Sequence, residues 1–249
     1  MAALAQFRAC GYSQVAMISA RQNGANSAGI VAIHQPNFFP WLGYFDKIAR
    51  SDVFVFLDGV SYPKNSWVNR VRLNIQREAR WTTCPVRRAT MQGPIANVVI
   101  DDGKHWREKL LKTLDANYRR AVHFDQAMLV LEPLIRSAEP QLANFNITTI
   151  MAISAVLGIK TKFVRQTELD HAGTANDLLV SLVRAVGGTC YLVGGGADGY
   201  HDDATFSAAG LKVCEQSFEQ TPYGSPDRFL PGLSIIDYLM HDGRPLQSR

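Results

Sequence analysis

The segments Ile30-Val31-Ala32-Ile33-His34, Pro40-Trp41-Leu42-Gly43-Tyr44-Phe45-Asp46-Lys47-Ile48-Ala49 and Asp52-Val53-Phe54-Val55-Phe56-Leu57-Asp58 decide the fold class. The first is a short apolar run that ends in a polar residue, as a buried strand does where it meets a loop. Gln35-Pro36-Asn37 breaks it. Pro40 suits the first position of a helix, and Leu42, Phe45, Ile48 and Ala49 recur at helical spacing, so the pattern predicts a helix over 40–50. A second buried strand follows over 53–57. Strand, loop, helix and strand make a βαβ unit of minimal length, and ligands of open α/β sheets bind at the carboxyl ends of such strands.

Downstream, alternation predicts a β-hairpin, Ser66 to Asn74 against Arg80 to Val86, across a turn containing Glu78. Helical spacing predicts helices over 104–121, 124–136, 140–157 and 173–186. Short apolar runs predict strands at Thr161–Val164, Cys190–Val193 and Lys212–Glu215, and Leu233–His241 reads as a last short helix ended by Gly243 and Pro245. The order predicts an α/β protein, with a Rossmann-like, mostly parallel sheet, a β-hairpin insertion and several helices. Residues 1–29 carry Arg8 and Arg21 and no acidic residue, and are expected to be a poorly ordered extension before one domain over 30–249.

Composition narrows the function. With 19% charged residues and a net charge of +4 among 249 residues, the chain lacks the dense basic character of a nucleic-acid-binding domain. No run approaches the roughly 18 to 20 apolar residues of a membrane span. Cys10, Cys84, Cys190 and Cys214 show neither a CxxC pair nor metal-ligand spacing, so neither a zinc site nor a disulfide framework is expected, and a reducing cytoplasm fits. GxSxG, HExxH and DxD motifs are absent, and no motif specifies a metal or identifies a cofactor.

Three clusters could carry chemistry. His34, Gln35 and Asn37, with Tyr44 and Lys47 on the following helix, surround a helix amino terminus that suits an anion, and His34 could act as base or acid; equally, it could satisfy a neighbouring carbonyl. Asp58, Lys64, Trp67, Asn69, Arg70, Arg72 and Asn74 form the second. Here Lys64, Ser66, Arg70, Arg72 and Asn74 would share one strand face, with Trp67 and Asn69 on the other. Seven basic residues against one acid between 64 and 88 favour a phosphate, diphosphate or carboxylate partner over a merely solvated strand. Third, Tyr191-Leu192-Val193 runs into Gly194-Gly195-Gly196, with Tyr200 after it, which suits either close approach to a ligand or a tight structural turn.

Ile33-His34-Gln35-Pro36-Asn37, Pro40 to Ile48, Asp52 to Asp58 and Lys64-Asn65-Ser66-Trp67-Val68-Asn69-Arg70-Val71-Arg72 together resemble the amino-terminal signature of the WbqC-like family. Tyr191-Leu192-Val193-Gly194 and Phe229-Leu230-Pro231-Gly232-Leu233-Ser234-Ile235-Ile236-Asp237-Tyr238-Leu239 extend the resemblance to about residues 30–243. The extension before residue 30 and the stretch Glu219 to Asp227 depart from the pattern. The resemblance implies a role in bacterial O-antigen or other surface-polysaccharide assembly, as a transferase moving an acyl or aminoacyl group to a nucleotide-linked or carrier-bound amino sugar. An acyl carrier protein is among the partners it implies. In that reading His34 is the general base, and Asp58 orients it or holds a substrate hydroxyl. Lys64, Arg70 and Arg72 hold phosphates, and Trp67 and Tyr44 cover a sugar or base. Two alternatives stand beside it. One is a nucleotidylyltransferase-like enzyme, although Gly43-Tyr44 occupy the place of its second histidine. The other is a non-catalytic scaffold using Phe38, Phe39 and Trp41.

Overall fold

The protein was analysed as a computed structural model that describes residues 29–194, 202–225, 227 and 229–246. Both the predicted extension, apart from Gly29, and Tyr200 lie outside them. Five strands, β1 (Ile30–His34), β2 (Val53–Phe56), β5 (Lys162–Arg165), β6 (Cys190–Gly194) and β7 (Lys212–Gln216), form one sheet in the order β5-β2-β1-β6-β7. Every pairing in it is parallel. The remaining two strands, β3 (Arg70–Ile75) and β4 (Glu78–Thr83), make a separate antiparallel hairpin.

Period-two alternation sends each strand's residues into two cores. Ala32, Phe54, Phe56 and Leu192 face one side. Val31, Ile33, Val53, Val55, Tyr191 and Val193 face the other. The first core is closed by residues of α1 (Leu42–Ala49), α2 (Trp106–Tyr118), α3 (Phe124–Ile135), α4 (Leu142–Val156) and α7 (Ile235–His241), and by Val71 and Leu73 of the hairpin. Residues of α5 (Ala175–Ala185) and α6 (Asp203–Ala208) close the second. A sheet covered on both faces explains why its strands read as continuous apolar runs. No described helix is long and apolar enough to cross a membrane.

Three expectations are corrected. The hairpin lies later on its first strand and earlier on its second, because residues 64–69 form turns in which Asn65 takes a positive φ of 54° and the Ser66 hydroxyl accepts from the Val68 N–H at 3.2 Å. Its reversal is Gln76-Arg77, with φ of 55° and 67°, while Glu78 already belongs to β4. That turn needs two left-handed residues, usually Asn or Gly; here the Asn117 side chain accepts from the Gln76 N–H at 3.2 Å and supports it. Finally, Cys190 and Cys214 are joined in a disulfide, since adjacent parallel strands bring their Cα atoms to 6.5 Å across 24 residues of sequence. Cys84 is buried and free.

Candidate functional site at the carboxyl edge of the sheet

From β1 the chain passes through α1 to β2 and on to β5 in one direction, then returns to place β6 on the other side of β1. The strand order therefore reverses between β1 and β6, and the crevice at their carboxyl ends is where such sheets bind ligands. His34 ends β1 and Gly194 ends β6.

The loop that carries His34 is pinned by four residues. The Leu57 N–H donates to the His34 carbonyl at 2.9 Å, and the Phe38 N–H to the Trp67 carbonyl at 2.9 Å. Asn146, fully buried in α4, donates to the carbonyls of Pro36 and Val68, both at 2.8 Å. Ser234, which caps α7, donates to the Phe39 carbonyl at 2.7 Å. Such anchoring fixes the side chains in place before any ligand arrives. Phe38 and Phe39 are 0% exposed and belong to the core, which removes them from any exposed scaffold surface; Trp41 is 36% exposed.

The His34 Nδ1 lies 3.1 Å from the Gln35 carbonyl oxygen, which can only accept. The ring proton therefore sits on Nδ1, and Nε2 presents a lone pair. Tyr44 packs edge-on against the imidazole, with centroids 4.8 Å apart, and its hydroxyl donates to the same carbonyl at 2.9 Å. Burial, reinforced by the charge of Lys47, lowers the His34 pKa from 6.5 to about 4, so the ring is neutral at neutral pH. Burial also pushes the Tyr44 phenol well above its ordinary value, partly offset by the Asn37 backbone N–H.

Lys47 reaches in from α1, 4% exposed, and donates to the Ile33 carbonyl at 3.1 Å. No carboxylate pairs with it among the described residues; neighbouring Asp46 is held by Arg50 at 2.6 Å and by Gln216 at 2.8 Å. Burial lowers the Lys47 pKa from 10.5 to about 8. A Cβ added at Gly194 would stand 3.9 Å from Lys47 Nζ and 3.7 Å from Gln216 Oε1, so glycine keeps that approach to the ammonium open. A buried lysine without a carboxylate is costly, and perturbed groups of this kind concentrate at functional sites.

The other predicted residues divide between two places. Asp58 is fully buried, but its partners are Arg165, at 2.7 and 2.8 Å, and the Thr167 hydroxyl and N–H, at 3.1 and 3.2 Å. It ties β2 to β5 and does not orient His34. Gln35 is half-buried and Asn37 buried in the loop after His34. On the hairpin, Arg70, Arg72 and Asn74 do share one face, since Val71 and Leu73 between them are buried. Lys64 is exposed in the preceding turn. Asn69 is buried and donates to the Cys84 carbonyl at 3.0 Å, while the Asn74 N–H donates to the Tyr118 hydroxyl at 2.9 Å.

Trp67 precedes the strand and does not obey its alternation. The guanidinium of Arg72 lies 5.6 Å from its ring centroid, so Trp67 joins the arginine face. Sequence reasoning passed over Trp81, which contacts Trp67 with centroids 4.8 Å apart and carries Arg70 at 4.2 Å. It was legible as a member of the second hairpin strand. Arg165, Asn146 and Gln216 were not, because their partners lie 78 to 173 residues away. A separate depression of about 250 Å³ at the start of α2 contains none of the predicted residues, and its arginines are held by Asp102 and Glu132.

A sequence profile of the WbqC-like protein family matches residues 35–247, which takes in both the sheet edge and the hairpin. An uncharacterized protein of Mycobacterium tuberculosis, Rv1507c, is 31% identical over 219 residues, spanning 86% of this chain and 94% of that protein. No solved structure matches. A profile match over most of the chain and a relative of nearly the same extent agree, and the chain belongs to the WbqC-like protein family.

Proposed function

We propose that the protein is a transferase that moves an acyl or aminoacyl group onto a nucleotide-linked or carrier-bound amino sugar in bacterial surface-polysaccharide assembly. The observation that carries this reading is the pairing of an uncharged His34, its lone pair on Nε2, with the buried ammonium of Lys47 at the switch point of the sheet. As the acceptor amine attacks the acyl carbon, Nε2 takes its proton. Lys47 offsets the charge that grows on the carbonyl oxygen, and the imidazolium returns the proton to the departing thiol or alcohol. Arg70 and Arg72 receive the phosphate of the sugar-bearing substrate.

The two groups bound a pH window. His34 accepts a proton only above about 4, and Lys47 is charged only below about 8, so kcat/KM should fall outside those limits. The test is an acyl-transfer assay with acyl-coenzyme A or acyl-carrier donors and nucleotide-linked amino sugars. His34→Ala should lower turnover by about 100-fold or more with the fold intact. Retained turnover in that variant refutes the base assignment, and absence of transfer across the donor panel refutes the reaction class.

A further inference from the structure

Arg72 and Trp81 are directly paired in the hairpin register, as are Arg70 and Thr83, so these side chains project from one face. Trp67 folds onto that face from the preceding turn, and the four side chains interleave: Arg70 over Trp81, Trp81 against Trp67, Trp67 under Arg72. Trp67 and Trp81 remain 39% and 45% exposed, an unusual outlay of tryptophan surface. Neither arginine has a carboxylate partner among the described residues. Each has a buried Nε with no acceptor, and Arg72 spends one Nη on the Gly232 carbonyl at a long 3.4 Å. Two guanidiniums short of acceptors, set against exposed indoles, lack an anion attached to something that stacks.

Ring geometry chooses what stacks. The indoles are inclined at 55° with centroids 4.8 Å apart, and each already carries an arginine. Between them they offer no parallel slot that would sandwich a flat nucleobase. A sugar needs only one open aromatic surface for its C–H face, with polar groups at the rim for its hydroxyls.

We propose that this face of the hairpin binds a glycosyl phosphate, the C–H face of the sugar on Trp81 and the phosphate between Arg70 and Arg72. The proposal rests on the transferase reading for the identity of the substrate and deepens it, because it assigns the sugar, not the base, to the tryptophans. Binding itself requires no turnover.

The experiment measures binding of glucose 1-phosphate, glucose and uridine 5′-monophosphate to the full chain by calorimetry, with ligand-observed saturation-transfer NMR to identify the protons in contact. The expected result is affinity for glucose 1-phosphate about tenfold or more above the other two, with saturation concentrated on sugar C–H protons. Trp81→Ala and Arg70→Met should remove that preference, Trp81→Phe should recover part of it, and His34→Ala should leave it intact. The last result separates this site from the reaction, since His34→Ala tests transfer and not sugar binding. Equal or tighter binding of uridine 5′-monophosphate, no advantage of glucose 1-phosphate over glucose, no measurable binding, or unchanged binding in Trp81→Ala each overturns the proposal.

Discussion

The sheet edge and the hairpin both present cations, under opposite physical conditions. At the sheet edge a single amine, Lys47, is 4% exposed and shifted by burial, beside a histidine kept neutral by the same desolvation. On the hairpin, Arg70 and Arg72 lie half-buried across open tryptophans. Desolvation strengthens each interaction a group makes and alters its protonation, which serves a reacting centre. Partial exposure leaves arginine permanently charged, and its planar fork suits recognition. In the proposed reading the sheet edge carries the chemistry and the hairpin the capture, so substitutions in the two regions should divide between effects on turnover and effects on affinity.

The largest effect on stability is expected from the ion pair that holds the sheet edge together. Asp58→Ala leaves the Arg165 guanidinium, 18% exposed, without its carboxylate and strips the Thr167 N–H and hydroxyl of an acceptor. A loss of about 3–5 kcal/mol in denaturant unfolding is the expected outcome, the usual cost of breaking a buried pair from one side. If Asp58 served chiefly as a catalytic partner, stability would change little and only turnover would fall. Next comes Asn146→Leu, which leaves the Pro36 and Val68 carbonyls unsatisfied and loosens the histidine loop's hold on the turn before the hairpin, leaving the Phe38 N–H to Trp67 carbonyl bond to join them. About 3 kcal/mol should be lost, judged from the cost of orphaned buried acceptors. Because this residue joins the two regions, turnover and glycosyl phosphate affinity should decline together.

How far these regions could be read from the chain follows from the range of the interactions that build them. β1, α1 and β2 were legible because a parallel sheet covered on both faces demands apolar runs, and α1 repeats its apolar side chains every turn. His34 and Lys47 were identifiable as candidates from that local order. Their altered protonation was not, since it comes from packing by distant elements. The hairpin was found but displaced: Gln76-Arg77 makes a left-handed reversal without the Asn or Gly that announces one, and its support comes from Asn117 on α2. The Cys190–Cys214 bond depends on β6 and β7 being neighbours, which spacing along the chain does not encode. Asp58 was expected to orient His34 or hold a substrate hydroxyl, and its partner Arg165 was not legible because it lies 107 residues away.

Lys47→Met should act in opposite directions on stability and activity. Replacing a buried ammonium that has no carboxylate partner among the described residues by an apolar chain of similar length is expected to raise stability by roughly 1–2 kcal/mol at pH 7, the lower part of the range for such replacements, because the Ile33 carbonyl loses its donor. Transfer activity should be lost. The pH dependence sharpens the test. In the folded protein Lys47 releases its proton near 8, against 10.5 when unfolded, so between these values the unfolded state binds more protons and stability rises with pH. That rise should vanish in Lys47→Met. His34, neutral down to about 4 when folded but only to 6.5 when unfolded, makes stability fall as pH drops through that interval, and this limb should persist in the variant but shrink, because burial still lowers the His34 pKa while the charge of Lys47 no longer adds to it.

The smallest effect on stability belongs to the hairpin, and it is the one that most sharply divides the two regions. Arg70→Met removes a guanidinium that lies 4.2 Å from the Trp81 ring but has no ion pair among the described residues. Partly exposed cation–π contacts contribute about 0.5–1 kcal/mol, and the new methionine still covers the indole with its thioether, so the net loss should fall at or below the lower figure. Chemical denaturation should therefore barely distinguish this variant from the parent, while affinity for the glycosyl phosphate falls. A loss of several kcal/mol instead would mean that the interleaved arginines and tryptophans serve to hold the hairpin together. The unsatisfied Nε atoms argue against that outcome, because a stack built for stability would be expected to leave no buried donor without an acceptor.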